Sequence, residues 1–201
     1  MFAPFRVLWA LAELFDLLCF PGWIFEPVGI LLFVATMAVL FRPFDLRCFA
    51  LMCSMNVLYV IALSPETPNH FLLRGFANLT IVCVLARHGL RHTSASQRDA
   101  VIFEEITAIL RLELYALYFF AVLHKLNWDF FQPSTSCAVQ MLGELSERIP
   151  IVPSGSAAGM SSIWGTILIE SSIPILLFRP PWRRFGILLA FGFHFVLAFH
   201  P

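Results

Sequence analysis

Seven apolar runs, broken by short polar or proline-bearing stretches, leave this chain few ways to fold. They cover roughly residues 7–20, 27–41, 48–64, 70–86, 101–123, 157–178 and 185–200. A helix needs ~20 apolar residues to cross the hydrocarbon core of a bilayer, so the shorter runs are expected to begin in the interface or to re-enter. The first and last runs are the least secure. With 59% hydrophobic residues, 22 phenylalanines and a mean hydropathy of +0.82, too little polar surface remains to cover a soluble globule. The expected fold is all-α, a polytopic transmembrane bundle of about seven spans forming one domain over residues 1–201, with no large soluble domain and the lipid bilayer as its first partner.

Arginine placement orients the bundle independently of hydropathy. Seven spans put the N-terminus and the loops 42–47, 87–100 and 179–184 on one side, with Arg6, Arg42, Arg47, Arg87, Arg91, Arg98, Arg179, Arg183 and Arg184. The other side receives the loops 21–26, 65–69 and 124–156, with Lys125 and Arg148. The N-terminus is therefore expected in the cytoplasm and Lys125 on the extracytoplasmic (periplasmic or lumenal) side. The N-terminal run reads as a retained first span, with a signal peptide as the alternative.

Several function classes lose support. A net charge of zero with 13% charged residues lacks the basic footprint of a nucleic-acid partner. The five cysteines show neither CxxC nor zinc-ligand spacing, so no metal site is expected. No internal repeat marks a transporter built from inverted halves. In the long 124–156 segment, CAVQMLGELSERI has apolar residues at helical spacing and predicts a short interfacial helix ended by Pro150 and Pro153.

Ionisable residues inside spans are costly and are candidate functional groups by default. Glu104, Arg111, Tyr118 and Lys125 recur at intervals of seven and fall on one slowly drifting helical stripe. Depth counting puts Arg111, Glu170 and His194 in a common mid-membrane layer, where an Arg111–Glu170 ion pair and a hydrogen-bonded core histidine are the plain structural readings. Glu104 and Glu105, nearer the cytoplasmic end, read as a structural polar seam. A second group lies toward the outer surface, with Asn69, His70, Arg74, Lys125 and His200. Lys125 is the only lysine beside twelve arginines. Arginine keeps its proton in proteins, whereas a desolvated lysine can act as a base, so Lys125 with His70 and Asn69 has the makings of a proton-transfer site. An interfacial lysine snorkelling to headgroups beside Trp128 explains the same residues.

The stretch LRLELYALYFFAVLHKLN also resembles the signature of the vitamin K-dependent gamma-carboxylase and its bacterial relatives, the HTTM (horizontally transferred transmembrane) proteins. Arg111, Tyr118, Phe119, Ala121, Lys125 and Leu126 match it without a gap. Pro68-Asn69-His70 resembles the family's Asn-His pair, and the segment from Leu168 to Phe199 is similar to its later paired spans, with His194 at a Phe-His step. The likeness runs from about residue 47 to the C-terminus. It implies that Lys125 deprotonates a reduced quinone, vitamin K or another, with His70 and Asn69 placing or activating it. It also implies O2 and CO2 as co-substrates and a peptide or small molecule as the acceptor of carboxylation. Tyr118, Arg111 and His194 are then the residues expected to line the cofactor site. The pattern is departed from at Val122, His124, Asn127 and Glu113, and the chain stops at Pro201 without a counterpart of the carboxylase's lumenal domain, so a truncated or minimal relative is expected. A non-enzymatic membrane scaffold or partner-binding subunit is the competing expectation, and a transporter ranks last.

Overall fold

In the computed structural model the described residues are 2–19, 24–64, 69–89 and 95–197. They are helical, and the helices are α1 (Phe2–Cys19), α2 (Pro27–Phe41), α3 (Leu46–Leu63), α4 (Asn69–Gly89), α5 (Ala95–Lys125), α6 (Trp128–Phe131), α7 (Cys137–Arg148), α8 (Ser156–Phe178) and α9 (Arg183–Leu197), with a 3-10 turn at Pro180–Trp182 before α9. Over the described residues each of the seven apolar runs lies on a helix, and the segment read as an interfacial helix is α7. Among the described residues four helices, α3, α4, α5 and α8, are long and apolar enough to cross a membrane. The apolar α2 is shorter, at 15 residues. α1 has the length but carries Arg6, Glu13 and Asp16.

Local chemistry explains where the helices begin. Asp45 accepts a hydrogen bond from the Arg47 amide at 2.8 Å and caps α3. Pro27 opens α2, where its missing N–H costs nothing. Asn127 ends α5 and starts α6 at once, because its Nδ2 donates to the His124 carbonyl at 2.5 Å while its Oδ1 accepts from the Phe130 amide at 2.9 Å. Gly155, at φ 110°, turns the chain into α8 through a conformation open mainly to glycine. α5 has 31 residues and spans ~47 Å, more than the ~30 Å hydrocarbon core. Its first turns are accordingly polar, with Arg98, Asp99, Glu104 and Glu105.

The chain divides into two compact units, Met1–Arg111 and Leu112–Pro201. In the first, α1, α2, α3 and α4 pack successively on one another. Its core gathers Phe2, Leu17, Leu32, Phe49, Met52 and Ile81 with Ile102 and Ile106 from the start of α5. Phe2, Phe5, Phe49 and Phe103 meet as an aromatic cluster with ring centroids 5.7 to 6.2 Å apart. In the second unit α8 packs against both α7 and α9, around Phe130, Ala138 and Ile163. Outside these cores, Phe119, Phe120, Leu168, Ile175, Phe191 and Phe195 are exposed. Hydrocarbon, unlike water, exacts no cost for such surfaces.

Candidate functional site

The polar residues of the second unit converge from three helices. Lys125, in the last turn of α5, reaches Glu170 in the middle of α8, and Nζ donates to Oε1 at 3.0 Å and to Oε2 at 2.8 Å. Glu170 is buried at 7% exposure, so its charge depends on this partner. The Lys125 ammonium also stands 6.0 Å from the Phe130 ring centroid, an aromatic face turned to a cation. Two turns before Lys125 on α5, buried Tyr118 places its hydroxyl 3.1 Å from His194 Nε2 on α9. The polar side chains of the unit thus form two pairs, Lys125 with buried Glu170 and buried Tyr118 with exposed His194.

An apolar cavity of about 450 Å³ lies between α7, α8 and α9 in the same unit. Met141, Leu142, Leu188 and Phe193 wall it, with hydroxyls from Ser162 and Thr166. Thr166 precedes Glu170 by one helical turn, and Glu170, like Lys125, Tyr118 and His194, is not among the residues that line the cavity.

The residues singled out in the sequence therefore fare differently. Tyr118 meets His194, and Lys125 meets Glu170. Glu170 is taken by Lys125 rather than by Arg111, and the Arg111 side chain is exposed. Arg74 is committed within the first unit, where it ion-pairs with Asp16 and lies 3.7 Å from Glu13. Asn69 and His70 start α4, but their side chains lie outside the described residues, as does His200. Glu105 joins Arg87 and His88, the latter at 2.6 Å.

A second polar group escaped the sequence reading. Glu13 and Asp16 of α1 meet Arg74 of α4, and Asn56 of α3 donates through Nδ2 to Glu13 Oε1 at 2.6 Å. Glu13 and Asn56 are 1% and 0% exposed. Nearby, Trp9 Nε1 donates to Asn78 Oδ1 at 3.0 Å. Two carboxylates three residues apart in an apolar run were the available signal, because that spacing puts both on one helical face. Toward the start of α1, buried Arg6 pairs with Asp99 of α5 at 2.9 Å and lies over the Phe2 ring.

No family model, curated protein or solved structure matches the chain.

Proposed function

We propose that this is an integral, multi-pass membrane protein whose second unit binds a quinone-like, membrane-soluble molecule and exchanges a proton with it through Lys125 and Glu170. The observation that carries the reading is the two-oxygen pair between Lys125 and the buried Glu170, in the unit that also holds the apolar cavity. The arginine asymmetry supports seven spans with the N-terminus in the cytoplasm, which puts Lys125 on the extracytoplasmic side.

The residues fit the group that the gamma-carboxylase resemblance implies. A volume of about 450 Å³ accommodates a fused-ring head, Met141, Leu142 and Phe193 offer it apolar contact, and Thr166 offers a hydrogen-bonding hydroxyl. A reduced quinone supplies an acidic hydroxyl proton and two electrons when bound. Lys125 faces both Glu170 oxygens, so the two side chains act on a bound molecule as a pair. A proton accepted at the Glu170 carboxylate removes the counter-charge of Lys125. The ammonium is then free to stabilise negative charge on a neighbouring oxygen. The Tyr118–His194 hydrogen bond ties α5 to α9 in the same unit. In the carboxylase-like form of this proposal, O2 and CO2 are the co-substrates.

The competing reading, a non-enzymatic scaffold or partner-binding subunit, draws on the same pair, because mutual neutralisation of Lys125 and Glu170 is sufficient to clamp α5 to α8. Purified protein given a reduced naphthoquinone and labelled bicarbonate decides between them. Quinone oxidation or label incorporation that is lost in Glu170→Gln, which keeps the side-chain shape without the proton-accepting carboxylate, supports the enzyme. Absence of both quinone binding and turnover in the folded protein leaves the scaffold.

A further inference from the structure

We propose that Gly165 of α8 and Gly192 of α9 are specificity-determining residues of the apolar cavity, where the space left by their missing side chains sets the width of the ring system that the site admits. The inference rests on the reading that this cavity takes a quinone-like, membrane-soluble molecule.

Helix chemistry is the first ground. A glycine inside a helix weakens it relative to alanine, so each one calls for a compensating reason. Close packing supplies that reason at three positions. A Cβ on Gly75 would stand 3.1 Å from Val60, one on Gly159 3.4 Å from Val139, and one on Gly186 3.0 Å from Leu176 and from the Leu177 amide nitrogen. Gly165 and Gly192 differ, because a Cβ on either meets nothing within 4 Å. No described neighbour requires glycine at these two places. Backbone conformation does not require it either, since positive φ among the described residues belongs to Gly155.

Position is the second ground, and it is independent of the first. Both glycines line the same cavity of about 450 Å³, from different helices. Gly165 shares its face of α8 with Thr166 and Ile169, and Gly192 shares its face of α9 with Leu188 and Val196, at the three- and four-residue spacings of a single helix side. A side chain added to either would take up cavity volume instead of striking the protein. Gly165 is half-buried and Gly192 exposed, which puts the second at the rim of the cavity and the first further in. The Ser162 hydroxyl of the same wall is engaged by the Gly159 carbonyl at 2.8 Å, so shape more than polar contact does the selecting.

The test compares saturable binding of a radiolabelled naphthoquinone and of a benzoquinone with the same tail to the full chain in detergent micelles. Wild type should prefer the two-ring compound, and Gly165→Leu and Gly192→Leu should each lower the ratio of two-ring to one-ring affinity by about tenfold or more. A general folding defect weakens both ligands alike and leaves that ratio unmoved. Should the leucine variants fail to fold, Gly165→Ala and Gly192→Ala decide, since each should melt above wild type and still lower the ratio by about threefold or more. Folded wild-type protein that binds neither quinone overturns the underlying reading and this proposal with it. Wild-type binding that favours the single ring, a ratio unchanged in the variants, or alanine variants that melt below wild type overturn the role of the two glycines and leave that reading standing.

Discussion

Lys125 Nζ lies 2.8 and 3.0 Å from the two carboxylate oxygens of Glu170, a residue 45 positions further along the chain. The pair joins the end of α5 to the middle of α8, and removing one member leaves the other charge without its partner. Lys125→Ala or Glu170→Leu alone should destabilise the protein by about 3–5 kcal/mol. Lys125→Met with Glu170→Leu should recover most of that loss, because two apolar groups replace two mutually dependent ions. Denaturant unfolding in mixed micelles measures both, and a double variant as unstable as the worse single one would refute the coupling.

The Tyr118 hydroxyl is held by a single side-chain partner, so Tyr118→Phe should cost about 0.5–1.5 kcal/mol. In a His194→Ala background the same change should cost almost nothing. A double-mutant cycle on unfolding free energy reads the difference, and full additivity would mean that the 3.1 Å contact contributes nothing.

Two glycines of α9 should respond in opposite directions. A Cβ on Gly186 would stand 3.0 Å from Leu176 Cβ and from the Leu177 amide nitrogen, whereas one on Gly192 meets nothing within 4 Å. Gly186→Val should therefore destabilise by about 1–3 kcal/mol through overpacking. Gly192→Ala should stabilise by about 0.5–1 kcal/mol through helix propensity. Thermal melting of the two variants is sufficient to compare them.

Asp45 offers a pH signature outside the apolar segments. The hydrogen bond from the Arg47 amide holds its carboxyl below the ordinary carboxylate range. A depressed value in the folded state means that the ionised cap stabilises fully above the unfolded value of ~3.9 and loses this effect as pH falls through the folded value. Asp45→Ala should lower the melting temperature at pH 7, and the gap to wild type should close as the pH drops below ~4. A gap that widens in acid would reverse the assignment.

How far the site could be read beforehand follows from the same residues. Lys125 and Tyr118 share a helix, and their spacing put them on one face without further information. Glu170 stood out as an acid in an apolar run, but nothing local told whether Lys125 or Arg111 would claim it. Glu13 and Asp16 passed unremarked because their partners, Asn56 and Arg74, are 43 and 58 residues away from the paired acid. Arg74 had been grouped with Lys125 by depth alone, and depth does not specify which neighbouring helix a side chain faces.

The amino-acid sequence by itself determined where the apolar helices lie, because runs opened at Pro27, Asp45 and Gly155 or ended at Asn127 carry their own start and stop chemistry. Only the tertiary structure decided which charges meet. On a helix that is apolar nearly all round, periodicity does not mark the face that packs, and the few polar atoms must find partners once the helices are in contact. Lys125 to Glu170, and Arg74 to Asp16 and Glu13, are the outcome of that search.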